Sequence, residues 1–267
     1  MNKNPIVLSL GGGGAKTFAH LGVLDALKKY NINVDYLVTC SAASVIGVLY
    51  GLGISSKEIK KEFKRKRKWL RLIRHSVFKQ ILKKFLTKYK IDNLNKLNLP
   101  ISIVAVDLKS GEEIIFDKGD PLSLALASSS FPGISKPFKY LDYELIDGGV
   151  LKPDPADIAR KKVGENGIVI SVTLKLEFEK TKTKNRINTV LKSILLLSDK
   201  NRKKILNDNS DIVISPSNNL KISFHDWKET FLGYYYNNKI EEYYQKGFDS
   251  VEKEIDKIKK IIDKKIA

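Results

Sequence analysis

Residues Leu37 to Tyr50 read LVTCSAASVIGVLY: a short β-like run, one serine, then small and apolar residues that suit the start of a packed helix. This is the pattern of a nucleophile elbow, in which a sharp strand-to-helix turn lifts a serine hydroxyl clear of the backbone. Ser41 is thus the first residue to account for. The glycines that usually flank such a serine are replaced by Thr39 and Ala43, so this segment needs support from elsewhere in the chain.

Two other segments supply it. Ile6 to Leu27, IVLSLGGGGAKTFAHLGVLDAL, is an apolar strand running into Gly11, Gly12, Gly13 and Gly14 and then into a helical pattern of Phe18, Leu21, Leu24 and Leu27. Four glycines remove every Cβ from the turn, which lets backbone N–H groups approach an anion near a helix N-terminus. In Leu141 to Pro155, LDYELIDGGVLKPDP, Asp147 ends a strand and is followed by Gly148 and Gly149. Its carboxylate is left uncrowded, as a base requires.

Strand, glycine-rich loop, serine elbow and Asp-Gly-Gly, in that order, resemble the patatin-like phospholipases, a family of serine acyl hydrolases with a Ser–Asp dyad. The resemblance extends through Ala105–Leu108, ALASSSFPGISKPF from Ala125 to Phe138, and DGGVLKPDPADIAR from Asp147 to Arg160, roughly the first two-thirds of the chain. It implies that Ser41 is the nucleophile, that Asp147 is the base, and that Gly12, Gly13 and Gly14 form the oxyanion loop. Ala15 and Lys16 match the same loop, and Lys16 is expected to add positive potential near the substrate. Thr17 stands where the family has a glycine. Thr39 is a stiff, β-branched residue at a crowded position, where overpacking costs about 1–3 kcal/mol. On that reading Thr39→Gly raises turnover, unless small neighbours already accommodate the threonine.

The implied activity is a phospholipase A-type acyl hydrolase, a serine esterase acting on lipid esters without metal or cofactor. A carboxylate of ordinary pKa, about 4, is a weak base for a serine hydroxyl. The dyad therefore requires burial of Asp147 and a strong anion hole. The competing reading is a degenerate member of the family that binds lipid or membrane without turnover.

Other site assignments are less favoured. Lys16-Thr17 would end a P-loop, but Leu10 and Ala15 occupy its glycine positions; a dinucleotide fingerprint fails at Thr17. Of His20, His75 and His225, only His225 is late enough to serve as base in a triad with Asp147 as the acid. Asp107 is a backup base at a strand end. Ser128, Ser129 and Ser130 read as a turn that positions or caps. Cys40, the single cysteine, precedes the presented residue of the elbow and reads as a buried structural thiol. No cluster has metal-ligand spacing.

The 267 residues, 42% of them hydrophobic, suit one α/β domain over 1–267. Near-continuous apolar strands alternate with helical patterns, which predicts a mainly parallel central sheet covered by helices on both faces, a three-layer architecture. The spacing predicts strands at Ile6–Leu10, Tyr36–Thr39, Ile101–Asp107, Glu113–Phe116, Leu145–Ile146, Ile168–Leu174 and Asp211–Ser215. Helices are expected after the glycine loop and after Ser41, over much of Lys57–Tyr89, and at Leu122–Ser129, Pro155–Lys162 and Thr189–Asn207. Lys180–Lys184 reads as an exposed loop. A C-terminal helix at 238–267 carries Tyr244, Phe248, Val251, Ile255, Ile258 and Ile262, and is expected to pack on its own domain.

Net charge is +18, and residues 57–90 hold fifteen of the basic side chains against only Glu58 and Glu62. The same segment carries an apolar stripe of Leu70, Ile73, Val77, Ile81 and Phe85, with Trp69 and Phe78 at its margins. A basic amphipathic helix suits an anionic membrane surface; the alternative is that the stripe packs on the core. No nucleic-acid motif accompanies the charge. His225, Trp227, Phe231 and Tyr234 to Tyr236 form an aromatic stretch that could rim a lipid site. The longest mild apolar stretch, Ala42–Ile54, is far short of a membrane span, and no secretory signal is visible. A cytoplasmic protein, peripheral on a membrane at most, is the expectation.

Overall fold

The computed structural model describes residues 4–66, 74–174, 186–216 and 237–266. Its centre is a sheet in the order β5-β6-β3-β2-β1-β7-β8, with β4 also paired to β3. The strands are β1 Ile6–Leu10, β2 Tyr36–Cys40, β3 Ile101–Asp107, β4 Glu113–Phe116, β5 Phe138–Tyr140, β6 Tyr143–Asp147, β7 Ile168–Val172 and β8 Ile212–Ile214. From β3 through β2, β1 and β7 to β8 every pairing is parallel; β4, β5 and β6 are antiparallel additions at one side. The mainly parallel sheet expected from the sequence is present.

Parallel strands buried on both faces explain the continuous apolar runs. Leu8, Leu10, Leu37, Ile103 and Ile170 belong to a large core under α1 Phe18–Lys29, α2 Ala42–Gly51, α3 Ser56–Arg65 and α4 Arg74–Tyr89. Val7, Val38, Val104 and Val169, the alternate residues of the same strands, pack on the opposite face against Ile158 and Ala159 of α6 Ala156–Val163. Two layers of helix thus enclose the sheet. Helix α5 Pro121–Ser128 starts at an Asp120 cap whose carboxylate accepts the Leu122 and Ser123 amides, with proline at its first position.

Three expectations need correction. The basic segment contains two helices, α3 and α4, and the described part of its apolar stripe is not offered to a membrane: Val77, Ile81 and Phe85, with Phe78 at its margin, are buried in the main core, where the Phe78 ring meets Phe63 edge to face. Some of its charge is also engaged. Lys60 and Lys64 pair with Glu241 at 2.6 and 2.7 Å, and Lys84 and Arg65 pair with Glu62 at 2.6 and 3.1 Å. Amphipathicity alone does not say whether a stripe meets core or lipid, and here core wins. Trp69, Leu70 and Ile73 lie outside the described residues, as do Lys180–Lys184 and the aromatic stretch from His225 to Tyr236.

The second correction is that the helix expected over Thr189–Asn207 is two: α7 Arg186–Asp199 and α8 Arg202–Asn209. The third is that the C-terminal helix divides into α9 Asn237–Glu252 and α10 Ile255–Ile266. Packing on its own domain is as expected. A Cβ on Gly22 of α1 would stand 2.0 Å from the Tyr244 carbonyl oxygen, and one on Gly247 of α9 would stand 1.9 Å from that of Ala19. The two helices cross backbone against backbone. Tyr244 adds a hydrogen bond to Asp25 at 2.9 Å, and the Lys60 ammonium sits 3.3 Å over its ring. No helix among the described residues is long and apolar enough to cross a membrane.

Candidate active site

Sheet register brings the serine and the aspartate together. Cys40, which ends β2, pairs with Val104 of β3, and Asp147, which ends β6, pairs with Ala105. Ser41, the next residue after Cys40, is therefore level with Asp147, with β3 between their strands. The Ser41 hydroxyl donates to Asp147 Oδ2 at 2.6 Å. Both residues are buried, and the other carboxylate oxygen accepts the Gly149 amide at 2.8 Å. The Asp147 amide in turn donates to the Ser130 carbonyl at 3.0 Å.

Ser41 has φ 60° and ψ −140°, a strained backbone for a residue with a Cβ. Ser128 helps hold it there. The Ser128 hydroxyl accepts the Ser41 amide at 2.9 Å and the Ser44 hydroxyl at 3.0 Å, and donates to the Val104 carbonyl at 2.7 Å. Ser129 and Ser130 return their hydroxyls to the α5 carbonyls of Ala125 and Leu126. The serine cluster thus positions and caps, and Ser128 does so directly beneath the elbow.

Thr39 is accommodated. Its methyl occupies the space that Gly47 leaves on α2, where an added Cβ would stand 2.9 Å from Thr39 Cγ2. Its hydroxyl lies 3.1 Å from Ser44 Oγ and 3.2 Å from the Ser102 carbonyl. Thr39→Gly is therefore expected to lower stability by about 1–3 kcal/mol, from a lost methyl and a lost buried hydrogen bond, and to slow turnover. Paired melting temperatures and kcat values check it; a faster enzyme would restore the crowding argument.

The glycine loop closes the other side. A Cβ on Gly12 would stand 3.0 Å from Ser41 Cβ, so only glycine lets the loop come this near. The Gly12 amide donates to the Pro153 carbonyl at 2.8 Å and the Gly11 amide to the Val172 carbonyl at 3.0 Å. These bonds anchor the loop and commit the Gly12 amide away from substrate. Lys16, in the 3-10 turn Gly14–Thr17, is wholly buried and is not among the residues that line the pocket. It is neither a solvated side chain nor a wall of the cleft.

His20 supports the same loop from behind, with Nε2 2.7 Å from the Gly11 carbonyl oxygen. Burial pushes its pKa down to about 4, against the opposing pull of that carbonyl. The ring is thus neutral at pH 7 and donates through Nε2. Because the unfolded histidine binds a proton near its ordinary value of 6.5, this contribution to stability is complete above that pH and is lost as pH falls towards about 4. The loss amounts to about 3 kcal/mol. Denaturant midpoints at pH 7 and 4.5 should therefore differ less in His20→Gln than in the parent; equal differences would remove this role.

The remaining candidates fall elsewhere. Asp107 accepts the Glu144 amide at 2.9 Å and the Ser110 amide and hydroxyl at 3.1 and 3.0 Å, bonds that hold its pKa below the usual range. It is a turn residue. Cys40 is buried, and burial first, then the Asp147 charge, pushes its thiol pKa well up, consistent with an inert packing role. His225 and the side chain of His75 lie outside the described residues. Among the described residues no group of histidine, cysteine or carboxylate side chains could hold a metal ion.

Gly12, Gly13, Gly14, Ser41, Asp147 and Gly149 line one pocket with Phe131, Pro153, Leu195, Ser198 and Arg202. Arg202 had no sequence signal, since it arrives on α8 from a distant part of the chain. Its Nη1 pairs with Asp154 Oδ2 at 3.3 Å and its Nε with Asp199 at 2.7 Å. Asp154, seven residues after Asp147, also accepts the Thr173 hydroxyl at 2.8 Å. Burial holds its pKa above the usual carboxylate range.

The patatin-like phospholipase family model matches residues 8–160, and the chain belongs to that family. The span takes in the glycine loop, Ser41 and Asp147. An uncharacterized NTE family protein of Mycobacterium tuberculosis is 30% identical over 159 residues, covering 56% of this chain and 44% of that protein. The human patatin-like phospholipase domain-containing protein 6 is 29% identical over 189 residues, 63% of this chain and 13% of that one. Lysophospholipase NTE1 of Meyerozyma guilliermondii is 25% identical over 186 residues, 64% of this chain and 13% of that one. The chain thus spans less than half the length of these relatives. Among solved structures, VipD from Legionella pneumophila aligns with a TM-score of 0.49 at 12% identity, covering 96% of this chain and 67% of that one.

Proposed function

We propose that this chain is a lipid acyl hydrolase that cleaves carboxylic esters of membrane lipids with Ser41 as nucleophile and Asp147 as base. The observation that carries this reading is the 2.6 Å hydrogen bond from the Ser41 hydroxyl to Asp147 Oδ2 at a strained elbow. Ser41 Oγ attacks the ester carbonyl while Asp147 Oδ2 takes its proton. Asp147 then returns that proton to the leaving alcohol, leaving an acyl group on Ser41. In the second half Asp147 draws a proton from water, which attacks the acyl-enzyme, and returns that proton to Ser41 Oγ as the acid is released.

The developing oxyanion needs preorganised donors, each worth on the order of 3 kcal/mol. With the Gly12 amide committed to Pro153, this duty falls first to Gly13. Labelling with a fluorophosphonate probe tests the reading whichever lipid is the substrate, because the probe reacts with any activated serine: the parent is expected to label and Ser41→Ala to stay dark. A parent that binds lipid vesicles but neither labels nor hydrolyses a short-chain ester would instead be a binding protein.

A further inference from the structure

We infer that the outer face of α7, with Leu151 beside it, is the surface by which this protein meets an anionic bilayer. This rests on the acyl-hydrolase reading but places the lipid contact away from the basic segment 57–90. Helix α7 forms part of the roof of the catalytic pocket through Leu195 and Ser198. It is seated there by a small satellite cluster, Leu191 against Phe131 with Ile134, Ile194 and Leu195 packed around them, separate from the main core.

Away from that cluster α7 leaves several large apolar side chains in water. Leu197 is 72% exposed, Val190 58% and Leu196 47%, and Leu151, just after the Gly148–Val150 turn, is 48% exposed. Val190 and Leu197, seven residues apart, share one stripe, and Leu196 stands on the outer side. Thr189 and Ser193 are polar on the exposed side of α7, but Val190, Leu196 and Leu197 carry its apolar surface beyond the side that meets the described protein, and such a surface suits an apolar medium. The pocket below holds about 40 Å³ of open space, room for a few waters and far below the roughly 300 Å³ or more of sites that enclose a ligand. An acyl chain is thus not enclosed in this space, and the outer face of α7, beside the pocket, borders its approach to Ser41.

Charge selects the occupant. Exposed Lys200 continues the outer side of α7, exposed Lys203 and Lys204 follow on α8, and exposed Lys136 lies in the turn after Phe131. Asp199, the acidic residue at the end of α7, is turned to Arg202. Leucines surrounded by lysines match a bilayer of anionic lipid, whose surface rewards both insertion and positive charge.

The test uses the full chain carrying Ser41→Ala, so that vesicles are bound and not consumed. Sedimentation with phosphatidylcholine vesicles, with and without phosphatidylglycerol, should show binding that requires phosphatidylglycerol. Leu196→Ser with Leu197→Ser should weaken it by about tenfold or more, and Lys200, Lys203 and Lys204 changed to Gln should weaken it further and leave the remaining binding less sensitive to salt. In the Ser41 background the same leucine pair should leave hydrolysis of a soluble short-chain ester unchanged, which separates failure of this surface from failure of the catalytic assignment. The inference is overturned if the leucine pair binds vesicles like its parent, if Lys79, Lys83 and Lys88 changed to Gln abolish binding that the leucine pair leaves intact, or if the parent binds neither vesicle. A dimer in sedimentation velocity that the leucine pair dissociates would likewise overturn it, by making this face a contact between copies.

Discussion

Ser41→Ala and Asp147→Asn are each expected to reduce hydrolysis of short-chain p-nitrophenyl esters by at least about a thousandfold, with the fold intact. For Ser41 the reason is the lost nucleophile. For Asp147 the geometry gives a sharper one: the Gly149 amide donates to Oδ1 at 2.8 Å, so an asparagine turns its carbonyl oxygen to that amide and its NH2 to Ser41. A group that accepted the serine proton becomes one that can only donate. Because the two residues act as one unit, the double variant should be hardly slower than either single variant. Circular dichroism and melting temperature check the fold. Full activity in Ser41→Ala would end the nucleophile assignment; a normal Asp147→Asn beside an inactive His225→Ala would move the base to the histidine.

The sequence made the centre of this molecule legible because its signals there are local. Ile6–Leu10, Tyr36–Cys40 and Ile101–Asp107 are short apolar runs bounded by glycine, serine or loop residues, and all three are strands. Strand β5, only three residues long with exposed Lys139 between half-buried Phe138 and Tyr140, left no comparable trace. The elbow and the glycine loop were visible since each depends on small residues adjacent in the chain. What was hidden is non-local. Gly47 makes room for Thr39 from eight residues away on the next helix, Ser128 reaches Ser41 across 87 positions, and Arg202 enters the pocket from the second half of the chain. The apolar stripe of the basic segment, at Val77, Ile81 and Phe85, was ambiguous for another reason: amphipathic spacing reports that one face wants an apolar neighbour, not which neighbour it has.

The helix crossing that anchors the C-terminal segment yields the largest expected loss of stability. Gly247→Ala should destabilise the protein by at least about 3 kcal/mol, because the new methyl would meet main-chain atoms: 1.9 Å from the Ala19 carbonyl oxygen and 2.7 Å from its carbon. Within a helix the same change normally gains up to about 1 kcal/mol by propensity, so the sign itself tests the packing. A loss of this size corresponds to roughly 10 °C in melting temperature for a chain of this length. Gly111→Ala supplies the contrast. Gly111 has φ +75° and nothing within 4 Å of an added Cβ, so it should cost only the left-handed backbone penalty, about 1–2 kcal/mol. The Gly247 effect also reaches the site, since α1 carries Ala19 at the crossing and His20 under the glycine loop. Ester hydrolysis in Gly247→Ala should therefore fail at temperatures where the parent still works, in step with loss of helix signal. Unchanged thermal midpoints would show that α9 does not press on α1 as closely as the crossing requires.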